Sequence, residues 1–373
     1  MSAPRGTTYW DYIKVEELLA LQGGLEGDEA TLQDEELLFI TVHQVFELWF
    51  KLVRHELLAA RNLFVRDRVS EQELSRAAAR LRRVTTIFRT GAQHFEVVET
   101  LGTREYLAFR NKLMPASGFQ SAQLRQIEIL FGLEDDERIP LGAPGSHITS
   151  LHNPDGSASP ALARVQEAQA DRPNLREAVD AWLERTPIDG VAHDHPDIDA
   201  VRETFVQRFL DAERVEIDRA RAHAKTVAAP EDHARLDALY DRQAAATAEF
   251  LRASDHDGDA RRARVRIAML FIETYRELPL LSWPREILAG LIEVEQAFLI
   301  FRQRHARMVE RVIGRRVGTG GSAGVEYLDR TALEYRVFRD LWATRTLLLK
   351  GEAAPPLERA GYYDFAQGDL SEG

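Results

Sequence analysis

The sequence contains no cysteine. This absence excludes disulfide bonds, a thiolate nucleophile, an iron–sulfur cluster, and zinc or haem held by cysteine. Any metal or haem bound by this chain must therefore be held by histidine or by oxygen ligands.

Long apolar runs are also missing. No run approaches the roughly 20 residues that a membrane-spanning helix needs. The stretch Met1–Tyr12 lacks the apolar core of a signal peptide, which predicts a cytoplasmic location. The net charge of −12 argues against nucleic acid or an anionic membrane as a partner. No strand pattern stands out, so we predict an all-α chain, a helical bundle of roughly ten helices.

One predicted helix carries His305 inside an apolar stripe. Steps of three and four residues from this histidine meet apolar side chains in both directions. These are Leu291, Val294, Phe298, Phe301, Met308 and Val312. The helix is predicted to stop at Gly314, before a glycine-rich loop around Thr319 and Ser322. This pattern fits a metal ligand with a substrate lid, or an ordinary core histidine followed by an ordinary loop.

Three motif matches are disfavoured by their context. Gly320–Gly324 fits the nucleophile-elbow pattern and Gly318–Gly320 loosely fits the dinucleotide fingerprint, but both motifs need a preceding strand, and a helix is predicted there. Asp255–Asp259 resembles a calcium loop. Ala260 and Arg266 stand where that loop requires glycine and glutamate.

A second histidine, His43, interrupts the apolar stripe of a helix predicted from about Asp34 to Leu63. Two such stripes suggest two walls of one pocket, although each histidine alone is more often a core residue. The short helix predicted over Thr103–Leu113 places Tyr106 and Arg110 one turn apart. A guanidinium beside a phenol suits a carboxylate, because arginine gives a bidentate clamp and tyrosine a further donor.

The two ends of the chain differ from the helical core. Residues 1–30 include Tyr9, Trp10 and Tyr12, which either pack on their own domain or reach into a neighbouring subunit. Residues 354–373 form a tail rich in acidic residues, proline and glycine.

We assign residues 31–353 to one all-α catalytic domain. Within it, residues 188–258 carry long charged patterns that predict a helical-hairpin arm, broken near Pro230. Ser117–Gln120 is expected to cap the helix that follows it. The last strong helix is predicted from about Asp329 to Lys350.

Four sets of stretches follow one another along the chain: Leu38–Gln44 with Glu47–Lys51, Phe109–Arg110 with Pro115–Ser121, Trp182–Pro187, and Gly318–Ser322. Taken in this order, they resemble the tryptophan 2,3-dioxygenase family, whose members use haem to open the indole ring of L-tryptophan. The resemblance spans nearly the whole chain and departs from the common family pattern at Glu36 and at Val325–Leu328.

The resemblance implies roles for four residues around a haem. His305 matches the proximal haem ligand, and His43 matches the distal histidine that faces the indole N–H. Phe39 matches the wall against which the indole packs. Ser117 matches a serine that lines the haem site.

The same resemblance implies how the amino-acid part of the substrate is held. Arg110 and Tyr106 match the carboxylate clamp, and Thr319 matches the loop residue that closes over the substrate. Tyr9 and Tyr12 match N-terminal tyrosines that come from a neighbouring subunit.

The implied protein is a cytoplasmic homotetramer containing haem b, ferrous in the active form, that converts L-tryptophan and O2 to N-formylkynurenine. We expect His43 to position the indole N–H rather than to act as an obligatory base, because an indole N–H is a very weak acid. Two alternatives remain at this point: a haem-dependent monooxygenase of an indole derivative, and a haem sensor or carrier without enzymatic activity.

Overall fold

A computed structural model describes residues 7–114, 118–140, 146–153, 155–314, 316 and 324–364, with only the backbone described at 119, 146 and 147. In this part of the chain every regular element is a helix, which confirms the predicted all-α class. The α-helices are α1 (Tyr9–Tyr12), α2 (Val15–Leu19), α3 (Glu36–Phe64), α4 (Glu71–Val98), α5 (Thr103–Phe109), α6 (Ala122–Phe131), α7 (Ser146–Thr149), α8 (Pro160–Ala170), α9 (Leu175–Leu183), α10 (Ile198–Val227), α11 (His233–Leu251), α12 (Ala260–Thr274), α13 (Ser282–Ile313), α14 (Val325–Glu334) and α15 (Arg339–Leu347).

Local sequence signals set several helix ends. Ser70 and Glu73 form a reciprocal capping box at the start of α4, with distances of 3.3 Å and 3.0 Å between backbone nitrogens and side-chain oxygens. Asn174 and Glu177 do the same for α9. Gly314 ends α13 with a φ of +62°, a conformation that glycine adopts without steric cost.

The chain divides into two compact units. The first comprises residues 1–55, 85–171 and 296–335, and the second comprises residues 56–84, 172–295 and 336–373. The division falls within α3, α4 and α13. The candidate site lies in the first unit.

The second unit contains the predicted charged arm. Helices α10 and α11 lie antiparallel, joined through a turn that includes Pro230. Arg221 donates to Asp241 at 2.6 Å, and the Lys225 ammonium lies 2.7 Å from an Asp237 oxygen. The ion pairs join the two helices of the hairpin along their charged faces.

The structure also corrects one predicted helix. The continuous helix expected over Asp329–Lys350 is two helices, α14 and α15, because the buried Glu295 carboxylate accepts the backbone N–H groups of Val337 and Phe338 at 2.6 and 3.0 Å. A carboxylate that satisfies these donors replaces the hydrogen bonds of a continuing helix.

The expected cap of α6 is also wrong by one residue. Residues Gly118–Gln120 form a 3₁₀ turn, and Ser121 caps the helix by accepting the backbone N–H of Leu124 at 3.3 Å. The cap therefore follows the predicted Ser117–Gln120 segment.

None of the helices in the described ranges is both long enough and apolar enough to cross a lipid bilayer.

An acidic residue in the second unit is held at an energetic cost. Burial raises the pKa of Asp180 on α9 to about 6, and the charge of Asp340 adds to this effect. Arg176, Arg261 and Arg262 oppose it. Since the pKa is above its unfolded value, the penalty is absent at low pH and develops as the pH rises from about 4 through 6.

We predict that Asp180→Asn raises the free energy of unfolding at pH 8 by about 2–3 kcal/mol. The gain should shrink as the pH falls below 6 and vanish near pH 4, where the parent carboxyl is already neutral in both states. Urea unfolding of both proteins at several pH values measures this, with the exposed Asp194→Asn as control. A gain that is independent of pH would contradict the burial argument.

Candidate functional site

His305 lies on α13 as the sequence predicts. The apolar residues that share its stripe are buried: Leu291, Val294, Phe298, Phe301, Met308 and Val312. The imidazole itself is only half-buried, and its ring stacks on Phe95 of α4 with centroids 5.4 Å apart. It makes no hydrogen bond with any residue that the structure describes. A polar ring in an apolar stripe without a protein hydrogen bond is well suited to bind a metal.

His43 on α3 has its orientation set by its own helix. Its Nδ1 lies 2.7 Å from the backbone carbonyl oxygen of Phe39, one turn earlier. A carbonyl oxygen only accepts, so Nδ1 carries the proton and Nε2 of the neutral ring is an acceptor. The Phe39 ring packs against the imidazole with centroids 4.0 Å apart. The structure thus presents Nε2 as an acceptor for an N–H group.

Aromatic rings connect His43 to the predicted carboxylate clamp. Phe39 lies 6.1 Å from Tyr106 and 5.5 Å from Phe109, measured between ring centroids, and both of these side chains are buried. Burial raises the pKa of the Tyr106 hydroxyl, while the charge of Arg110 and a hydrogen bond to it act in the opposite direction. Arg110 begins the 3₁₀ turn after α5. Its hydrogen bond with Tyr106 shows that the two side chains expected one turn apart do meet.

A cluster of phenylalanines lies between the two histidine-bearing helices. Phe46 on α3 is 4.9 Å from Phe95 on α4 and 5.8 Å from Phe301 on α13, between centroids. Phe46 follows His43 by about one turn, and Phe301 precedes His305 by one. The cluster therefore brings His43 and His305 into one region of the first unit.

Both histidines are neutral at physiological pH. Burial lowers the pKa of His305 to about 4, and the charge of Arg302, together with that of His43 whenever His43 is protonated, acts in the same direction. Burial also lowers the pKa of His43, against the opposing effects of the Phe39 carbonyl and Glu47. His43 is nevertheless exposed to solvent. Its ring is therefore surrounded by protein atoms on most sides and open to solvent on one. A neutral imidazole is the form that binds iron and accepts a hydrogen bond.

Sequence reasoning did not single out Glu47, one turn after His43. Its carboxylate accepts the Ser121 hydroxyl at 2.6 Å and the Gln123 amide at 2.9 Å, and the same amide donates to the Glu47 backbone carbonyl at 2.7 Å. The four-residue spacing from His43 was the available signal, because it places both side chains on one helix face.

Two predicted site residues, Tyr9 and Tyr12, are not brought to this cluster. Tyr9 and Tyr12 are 76 % and 79 % exposed, so within this chain they do not pack on the site. Ser117 and Thr319 lie outside the described residues. The roles of all four stay predictions.

The described residues fit a haem better than a metal held by side chains alone. No group of three or more histidine, aspartate or glutamate residues suited to a metal occurs within the described ranges. A single neutral histidine is sufficient for haem iron, because the porphyrin supplies most of the other ligands. His305, in an aromatic and apolar setting, meets that requirement.

Comparison with known proteins identifies the family. The sequence model of tryptophan 2,3-dioxygenase matches residues 1–348. The chain belongs to the tryptophan 2,3-dioxygenase family. The family resemblance predicted from the sequence motifs is thereby confirmed.

Individual relatives agree with the family model. The chain is 53 % identical over 365 residues to a tryptophan 2,3-dioxygenase of Sorangium cellulosum, covering 96 % of this chain and 87 % of that protein. It is 50 % identical over 366 residues to tryptophan 2,3-dioxygenase 2 of Ralstonia nicotianae, covering 96 % and 98 %. Tryptophan 2,3-dioxygenase B of Danio rerio is 30 % identical over 366 residues, covering 95 % and 85 %. These names give no support to the monooxygenase alternative.

We predict that His305→Ala yields a folded protein without tightly bound haem, since no cysteine is present to take over as ligand. The Soret absorbance per protein after reconstitution with haem measures this. His94→Ala, at another half-buried histidine of the same unit, is the control and should keep its haem. A His305→Ala protein with full haem content and an unchanged ligand spectrum would refute the assignment.

Proposed function

We propose that the chain is a haem-dependent dioxygenase that uses O2 to open the indole ring of L-tryptophan, giving N-formylkynurenine in the first step of the kynurenine pathway. The observation that carries this proposal is the continuous arrangement of Arg110, Tyr106, Phe39 and His43 in the same unit as His305. It pairs a clamp for the substrate carboxylate with an acceptor for the indole N–H.

In this proposal the His305 imidazole binds the iron of haem b, and Ser117 lines the haem site. The haem, when bound in its ferrous form, supplies the binding and activation of O2. The residues of the chain supply orientation, a dry apolar wall and hydrogen bonds.

His43 orients the indole in this proposal. Its Nε2 accepts the indole N–H, because the Phe39 carbonyl holds the ring proton on Nδ1. Phe39 forms the wall against the indole face. The lowered pKa keeps the imidazole neutral at physiological pH, so the acceptor is available without a change in protonation.

The amino-acid part of the substrate is fixed by charge. Arg110 forms a charge-assisted, bidentate pair with the carboxylate, and the Tyr106 hydroxyl adds a donor beside it. Thr319 closes over the amino-acid end. Holding reacting atoms in near-attack geometry is worth up to ~7–11 kcal/mol, so a clamp distant from the ring contributes to the rate.

We further propose that the active form is a cytoplasmic homotetramer in which Tyr9 and Tyr12 complete a neighbour's pocket. The exposure of these aromatic side chains supports this, because aromatic rings at a terminus are costly to leave in water. Gln44, beside His43, anchors the N-terminal segment. The side-chain oxygen of Gln44 accepts the Gln22 amide at 2.6 Å, and its side-chain amide donates to the Leu21 backbone carbonyl at 2.8 Å.

The function is tested by mixing the haem-loaded, reduced protein with L-tryptophan and O2 and following the near-ultraviolet absorbance of N-formylkynurenine. Product carrying both atoms of labelled O2 is the expected result. A product with a single labelled oxygen would favour a monooxygenase, and haem binding without product would favour a sensor or carrier.

We predict that Arg110→Lys lowers kcat/KM for L-tryptophan by an amount equivalent to about 2–4 kcal/mol while haem content is unchanged, because lysine keeps the charge but lacks the planar fork. Indole, which has no carboxylate, is the control ligand and should bind both proteins equally. An unaltered kcat/KM would show that the carboxylate binds elsewhere.

We predict that deleting residues 1–13 abolishes tryptophan binding and leaves a helical, haem-containing protein. His43 and His305 lie on long helices whose buried stripes do not include the terminal segment. Circular dichroism and Soret absorbance test the fold, and the tryptophan-induced change in the haem spectrum tests binding. Normal turnover by the truncated protein would overturn the proposal that a neighbour's N-terminus completes the site.

A further inference from the structure

We propose that Glu47 is a positioning residue for the distal side of the site: it fixes the start of α6 against α3 and holds a negative charge one turn from His43. This inference rests on the proposed function. Glu47 acts through Ser121, Gln123 and His43, and it does not itself touch the substrate.

The mechanical part of the proposal follows from three hydrogen bonds. The Ser121 hydroxyl donates to one carboxylate oxygen of Glu47 at 2.6 Å, and the Gln123 amide donates to the other at 2.9 Å. The Gln123 amide also reaches the Glu47 backbone carbonyl at 2.7 Å. Ser121 is at the same time the N-cap of α6. One side chain of α3 thus fixes the residue at which the preceding 3₁₀ turn becomes α6.

The electrostatic part follows from what binds the carboxylate. Within the described ranges both donors to Glu47 are neutral, and no lysine or arginine forms an ion pair with it. Its charge is therefore not cancelled by a cation and acts on His43, which shares its helix face. A negative charge there stabilises the partial positive charge that His43 gains when it accepts the indole N–H.

Other titratable groups face the same region and have to be separated from this effect. They are His305 on α13, Tyr106 on α5, Arg110 in the following 3₁₀ turn, and His94 on α4, whose ring meets Phe46 edge-on with centroids 6.1 Å apart. As an iron ligand, His305 does not titrate with the substrate. Burial raises the pKa of Tyr106, so its hydroxyl keeps its proton throughout the acid range. A His94→Gln variant measures the contribution of the remaining group.

The proposal predicts a direction of change that a purely structural role does not. In this proposal tryptophan binding requires neutral His43. The fall of kcat/KM at low pH, the acid limb of the pH profile, therefore follows the His43 pKa. The Glu47 charge raises this pKa, against the larger effect of burial. Removing the charge therefore moves the acid limb to lower pH, while the loss of the α6 contacts lowers the maximum.

The experiment compares the parent with Glu47→Gln, Ser121→Ala and Glu56→Gln, all as haem-loaded, full-length proteins. In Glu47→Gln the maximum of kcat/KM should fall by about tenfold, the factor that corresponds to about 1.4 kcal/mol, and the acid limb should move to lower pH. Ser121→Ala keeps the charge, so its maximum should fall with the acid limb unmoved.

Glu56→Gln is the matched control. Glu56 is a buried glutamate of the same helix whose carboxylate binds Arg80 at 2.8 Å and Arg83 at 2.7 Å. Its substitution should lower the unfolding midpoint without moving the acid limb. If Glu47→Gln fails to fold, Glu47→Asp serves instead: it retains the charge on a shorter stem and should lower the maximum while keeping the limb in place.

The possible outcomes are separable. A parent protein that forms no N-formylkynurenine refutes the proposed function. An active parent whose Glu47→Gln variant has an unchanged maximum and an unmoved acid limb refutes the role of Glu47. An acid limb that moves to higher pH contradicts the electrostatic part alone.

Discussion

The packing of phenylalanine rings between α3, α4 and α13 is the constraint on which the site depends. Phe46, Phe95 and Phe301 lie within 4.9–5.8 Å of one another, centroid to centroid. Gly91 on α4 leaves room for this packing, because a Cβ there would lie 3.2 Å from the Phe301 ring, closer than ordinary van der Waals contact. The spacing of His43 and His305 is thus set by large apolar side chains in a close-packed interior, which resist displacement more than a loop would.

The charges around this apolar framework have separate tasks. Burial keeps both histidines neutral, as ligand and acceptor chemistry requires. Fixed charges lie near this apolar framework: Arg110, to which we assign the substrate carboxylate under the proposed function, and Glu47, one turn after His43. Under the proposed function, such a site holds the amino-acid carboxylate at its charged edge and keeps the reacting ring in apolar surroundings.

Much of this arrangement could be predicted from the sequence, because helix periodicity and capping are local signals. The stripe of His305, the stop at Gly314 and the pairing of Tyr106 with Arg110 follow from spacings of three and four residues. Periodicity alone could not decide whether His305 is a core histidine or a metal ligand. The family motifs favoured the ligand. Roles implied for Ser117 and Thr319 rest on those motifs alone.

What could not be predicted depends on partners distant in sequence. The break between α14 and α15 is caused by Glu295, about 40 residues earlier, which binds the backbone at Val337 and Phe338. The tie from Glu47 to Ser121 spans 74 positions. A single sequence contains no local pattern for either contact, since the polar residues involved are common on exposed helix faces.

The hydrogen bond from His43 to the Phe39 carbonyl has a consequence for how the site tolerates mutation. The acceptor is a main-chain atom, so it is supplied by whatever residue occupies position 39. If Phe39 forms the indole wall, as proposed, natural drift can reshape that wall and alter which ring substituents fit, without reversing the imidazole tautomer. Under the proposed function, residue 39 affects the substrate range through its side chain. The polarity of the His43 hydrogen bond depends only on the backbone carbonyl of the same residue.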